Sequence, residues 1–130
     1  MIDSDLADMM SNDLRIREPL AAALSRPNVI NLFFVKSLAG ALGTSSGVYA
    51  AGTGRWPYAF IGDLGGLEPT PARWALEVVL IEHEFGHLLG LPHMPDPSNL
   101  MYASAEAGAT TVVNTQLRIA QARGPRLPNL

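Results

Sequence analysis

The chain has 130 residues, a formal net charge of −3 at pH 7, three histidines and no cysteine. With 48% apolar and 16% charged residues it has the composition of one globular domain with its own core, not of a disordered segment. No Lys/Arg cluster exists, which argues against nucleic-acid binding; no apolar run nears the roughly 18 residues that span a bilayer; and disulfides are excluded.

The N-terminus, Met1-Ile2-Asp3-Ser4-Asp5, is acidic, the opposite of a secretory signal. The sequence therefore reads as either an intracellular protein or the mature or trimmed form of a secreted one. Residues 1–25 are expected to be helical, with Leu6, Met9, Met10, Leu14, Leu20 and Leu24 at roughly helical spacing and a break or restart at Pro19. A turn at Ser25-Arg26-Pro27-Asn28 leads to a sheet region over 28–62. Val29 to Leu38, centred on Phe33, Phe34 and Val35, suits a strand buried on both faces. Gly40 to Ser46 is small and polar and reads as a loop. Short strands are expected at Gly47 to Ala51 and at Tyr58 to Gly62, with a Gly-rich connection from Asp63 to Pro69.

Thr70-Pro71 is a helix start, with Thr as N-cap and Pro in the first turn. The helix is expected over 71–89. Ala75, Leu76, Val78, Val79, Leu80, Ile81 and Phe85 make it apolar on most sides, which suits a buried central helix. Residues 107–123 read as a last helix, stopped by Gly124. No internal repeat or second domain is visible, so 1–130 reads as a single domain and a monomer.

All three histidines fall in His83-Glu84-Phe85-Gly86-His87-Leu88-Leu89-Gly90-Leu91-Pro92-His93. Residues four apart share a helix face, so His83 and His87 can grip one ion from one side. Glu84, one step round from His83, can reach a metal-bound water without ligating the metal. Gly90 can end the helix with a positive φ and Pro92 prevents its resumption, so His93 can approach from another direction. Three nitrogen ligands with one open position is the arrangement zinc uses for chemistry. Met101 follows eight residues later and could lay a thioether floor beneath the imidazoles. Asp96 could hold the loop between His93 and Met101. Glu82 and Glu77 read as solvated side chains.

This pattern with its following Met-turn resembles the metzincin clan of zinc endopeptidases. The run His93-Met94-Pro95-Asp96-Pro97-Ser98-Asn99-Leu100-Met101-Tyr102 is similar to matrixins. The stretch Gly43-Thr44-Ser45-Ser46-Gly47-Val48-Tyr49-Ala50 is similar to reprolysin-type (adamalysin) members. The likeness spans roughly residues 28–104. Features of single families are missing: the histidines that matrixins use for a second, structural zinc, the Asp pair of the matrixin last helix, and the Tyr ligand of astacins at position 103, which is Ala; the resemblance is therefore to the clan, with the family left open.

The resemblance implies an α+β, zincin-type fold: a small twisted mixed sheet packed on an N-terminal helix and a central active-site helix, with a C-terminal helix after the Met-turn in 90–104. It implies one catalytic Zn²⁺ on His83, His87 and His93, with Glu84 as general base in the hydrolysis of a peptide bond. It also implies an extended peptide or protein substrate pairing with an edge strand at Gly47, Val48, Tyr49 and Ala50, and a specificity pocket walled by Tyr102, Ala103 and Ser104. The competing expectation is a zinc-binding interaction or regulatory module of the same fold with little or no peptidase activity.

Overall fold

A computed structural model describes residues 14–35, 42–47, 55–62, 70–104 and 108–127. In chain order it has helix α1 (Leu14–Leu24), strands β1 (Asn31–Val35), β2 (Gly43–Ser45) and β3 (Tyr58–Gly62), helix α2 (Pro71–Leu88), helix α3 (Asn114–Arg123) and a 3₁₀ turn at Gly124–Arg126. The fold is α+β with a small three-stranded mixed sheet, as the sequence leads one to expect. Among the described residues no helix is long and apolar enough to cross a membrane.

The sheet order is β1-β3-β2. β3 pairs parallel with β1, Phe60 opposite Phe33, and antiparallel with β2, Thr44 opposite Phe60. All five β3 residues are buried, so Tyr58-Ala59-Phe60-Ile61-Gly62 is the core strand. The Phe33 and Phe60 rings stack across the parallel pair at 5.0 Å. The expectation that β1 is buried on both faces is corrected: Phe34 is 43% exposed, while Asn31 and Val35 are buried. Asn31, Phe33 and Val35 share one face of the strand and Phe34 lies on the other, so one face of β1 is covered better than its opposite.

Asn31 fastens the start of β1. Its amide donates to the carbonyls of Arg26, Val29 and Pro57, and its Oδ1 accepts from the Arg26 N–H at 2.8 Å. This holds the turn in which Asn28 takes a φ of 63°, a conformation asparagine tolerates better than most residues. The Tyr58 hydroxyl donates to Glu18 Oε1 at 2.8 Å and ties α1 to β3. α1 passes through Pro19 without a break. Pro19 is exposed, so the hydrogen bond it cannot make is missing on the side where water can replace it. Leu6, Met9 and Met10 lie outside the described residues, as do 36–41 and 63–69.

Two further expectations are corrected. The segment read as a loop holds a strand, β2 at Gly43–Ser45. In its Gly-Thr-Ser sequence Thr44 alone is a β-branched, strand-favouring residue, and three residues are too few to show an alternating pattern. Of the strand expected at Gly47 to Ala51, Gly47 is described and lies past the end of β2, with a φ of 75°; residues 48–51 lie outside the described set. The last helix begins at Asn114, not near 107. Residues 108–113 are extended or turned, and Thr111 forms a parallel bridge to Asn99.

Helix α2 packs on β2 and β3 and carries the motif. Thr70 caps it, its hydroxyl accepting the Arg73 N–H at 3.3 Å, and Pro71 stands at the first helical position. Its burial is narrower than the composition suggests. Val79, Leu80, His83, Glu84, Gly86 and Leu88 are buried, while Trp74 and Val78 are 56% and 53% exposed. The sheet is too small to cover the first half of the helix all round.

Candidate metal centre

The C-terminus of α2 builds the site. Gly90 takes a φ of 86°. Its N–H bonds the His87 carbonyl at 2.9 Å, and the Leu91 N–H bonds the Gly86 carbonyl at 2.9 Å. These two bonds form the Schellman closure, which a left-handed glycine permits at no steric cost. The chain then reverses through Leu91-Pro92 and returns His93 to the end of the helix.

The three imidazoles converge. His87 Nε2 lies 3.2 Å from His83 Nε2 and 3.1 Å from His93 Nε2. One nitrogen from each ring falls within 4.8 Å of the others. The opposite nitrogens of two rings are tied to backbone: His83 Nδ1 donates to the Leu100 carbonyl at 2.8 Å, and His87 Nδ1 to the Leu91 carbonyl at 2.9 Å. A carbonyl can only accept, so each Nδ1 carries the proton and each neutral ring turns a bare Nε2 lone pair inward.

Burial pushes the pKa of both His83 and His87 below the ordinary value. The Leu100 and Leu91 carbonyls oppose this, and repulsion from neighbouring imidazoles adds to it. The neutral form is therefore favoured, and lone pairs stand against lone pairs. A cation among them turns this repulsion into ligation. Two nitrogens on a tetrahedral zinc at about 2.0–2.1 Å stand about 3.3–3.4 Å apart, close to the spacing found here. The residues fit zinc, and fixing the far nitrogen by a carbonyl is the support that metal-binding histidines ordinarily have.

Glu84 is buried, at 5% exposure, and lines the same cleft of about 660 Å³ as the histidines. β2 forms one wall. Gly43 approaches Glu84 so closely that a Cβ there would stand 2.8 Å from Glu84 Oε1. Gly47, past the end of β2, lines the cleft, as do Ala103 and Ser104. Tyr102 does not line it; it bridges to Met94 and donates its N–H to the Asn99 carbonyl at 3.0 Å. Val48, Tyr49 and Ala50 lie outside the described residues.

Met101 is fully buried, and its sulfur packs against Gly86, the residue before His87. Its carbonyl accepts the Met94 N–H at 2.9 Å, closing the segment that returns from His93. Asp96 braces the same segment: its Oδ1 accepts both the N–H and the hydroxyl of Ser98 at 2.9 Å, which lowers its carboxyl pKa. Glu82 is exposed and outside the cleft. Motif spacing brings out the ligands but not their supports, the Leu91 and Leu100 carbonyls, nor the close approach of Gly43.

No curated protein and no solved structure matches the chain. A protein-family model described as Matrixin matches residues 17–121, well over half of the chain and the whole of the three-histidine segment. With those histidines gathered as metal ligands would be, the chain belongs to the matrixin family and is a metallopeptidase-like domain.

Proposed function

We propose that the chain is a zinc-dependent endopeptidase, with His83, His87 and His93 holding one catalytic Zn²⁺ and Glu84 acting as general base. The observation that carries this reading is the convergence of three Nε2 nitrogens in a cleft that also holds a buried carboxylate beside the first ligand. Bound zinc would supply Lewis acidity towards a peptide carbonyl and bring the pKa of a water towards neutrality.

The chain's own residues do the rest. Glu84 accepts a proton from the attacking water as its oxygen bonds to the carbonyl carbon. It then delivers that proton to the amine nitrogen as the carbon–nitrogen bond breaks. Gly43 on the cleft wall stands close against the Glu84 carboxylate. The substrate lies extended along β2, where backbone pairing reads no side chain. Gly47, just past β2, belongs to the same wall, and the edge-strand role first expected at 47–50 is proposed to begin at Gly43. Ala103 and Ser104 are small residues in a cleft that Leu80 and Leu91 also line, which leaves room for an apolar side chain just after the cleaved bond.

The test is metal content with turnover. The protein should take up one zinc and cut a mixed peptide pool, a chelator should abolish cutting, and added zinc should restore it. One zinc bound with no peptide cut in any condition replaces the endopeptidase with the binding module.

A further inference from the structure

Asn99 and Gln116 are both buried, at 1% and 4% exposure, and neither lines the cleft. Their amides pair reciprocally. Asn99 Nδ2 donates to Gln116 Oε1, and Gln116 Nε2 donates to Asn99 Oδ1, each at 2.9 Å. Each amide oxygen takes a second donor from the backbone: Asn99 Oδ1 accepts the Met101 N–H, and Gln116 Oε1 accepts the Val113 N–H, both at 2.9 Å. Both lone pairs of both oxygens are thus used. Gln116 joins the first turn of α3 to the segment that returns from His93.

The Met101 N–H that Asn99 holds and the Leu100 carbonyl that receives His83 Nδ1–H belong to one peptide unit. That unit is planar, so fixing its N–H fixes the direction of its carbonyl. The Leu100 N–H is held in turn by the Thr111 carbonyl at 2.8 Å, from the segment leading into α3. The ring of His83 therefore takes its orientation from a carbonyl whose plane is set by Asn99, which is itself held by Gln116.

We propose that Asn99 and Gln116 are positioning residues for the metal centre: their amide pair clamps the 100–101 peptide and so aims His83. This rests on the zinc site proposed above. It gives α3, which contributes no residue to the cleft, a part in the site's geometry. Without the clamp the 100–101 peptide loses the bond that sets its plane, and His83 loses the fixed partner that selects its tautomer and ring angle.

Cobalt(II) is the probe, because its visible absorption reports ligand geometry without need of turnover. The full chain is compared as wild type, Gln116→Leu and Val35→Ala. Val35 is fully buried in β1 and does not line the cleft, so its truncation lowers stability without touching the clamp. The expected result is a roughly 10–100-fold loss of cobalt affinity and an altered visible spectrum in Gln116→Leu, with Val35→Ala keeping both wild-type properties while folded. If metal-free Gln116→Leu fails to fold, Gln116→Asn, one methylene short of the partner amide, should show the same loss and spectral change. Wild-type affinity and spectrum in the folded Gln116 variant overturn the clamp, as does an equal loss in Val35→Ala. No cobalt binding by wild type overturns the zinc site itself, and the clamp's role with it.

Discussion

Replacing Gly43 with Ala should separate folding from catalysis. A Cβ at position 43 would stand 2.8 Å from Glu84 Oε1, 3.2 Å from its Cγ and 3.3 Å from its Cδ. Favourable non-bonded contacts lie near about 3.5 Å, so the carboxylate must withdraw by roughly half an ångström or more. The nearest atom is the end of a flexible side chain, so Glu84 yields and the strand stays. Stability should hold or rise by about 0.5–1 kcal/mol, since Gly43 is not among the positive-φ glycines and alanine costs less backbone entropy in a strand. A misplacement of about 1 Å costs about a hundredfold in rate, so half of that predicts a roughly tenfold fall in kcat. The assay is steady-state cleavage of a fluorogenic peptide, with zinc content and thermal unfolding measured on the same sample. Wild-type kcat in a folded, zinc-loaded Gly43→Ala protein would refute the reasoning, and so would a rate loss that simply follows lost zinc.

Gly86→Ala should act in the opposite sense, because its Cβ would run into the buried sulfur of Met101. The helix gains up to about 1 kcal/mol from alanine, while overpacking costs about 1–3 kcal/mol; urea unfolding should show a net loss, and unchanged stability would mean that Met101 is not packed there. The metal-free protein should lose stability as pH falls. His83 and His87 titrate near 6.5 when unfolded and lower when folded, so between those values the unfolded chain holds more protons and stability rises with pH. Urea midpoints of metal-free protein between about pH 5 and pH 8 should drop below about pH 6.5, and a flat profile would show that the rings are not held in a desolvated site. Zinc at a hundred times its Kd should add about 2.7 kcal/mol to the unfolding free energy at neutral pH and raise Tm.

The site was legible where chemistry demands a residue at a fixed spacing. His83 and His87 four apart, Gly90 at the turn and His93 beyond it define the centre without coordinates. Thr70-Pro71 marks the start of α2 for an equally local reason. What escaped is what depends on contacts distant in the chain. β2 is invisible because it is three residues long, with Thr44 its one strand-favouring side chain between a glycine and a serine. Val112 and Val113 suggest an early start to α3, yet both are exposed, and the helix waits for Asn114, where Gln116 can take up the Val113 N–H. Val78 suggests burial that so small a sheet does not provide. The Asn99–Gln116 pair joins two polar residues 17 apart, with no periodicity to announce it.

The central claim is that Glu84 does chemistry beside a zinc held by three histidines. Cleavage of a diverse peptide pool by zinc-loaded wild type and Glu84→Ala, read by mass spectrometry, tests it most directly. The account predicts discrete cuts by wild type, and for the variant a full complement of one zinc with cleavage reduced at least a hundredfold, the lower end of what a general base contributes at about 10²–10⁴. Equal cleavage by both proteins at full zinc occupancy would contradict it.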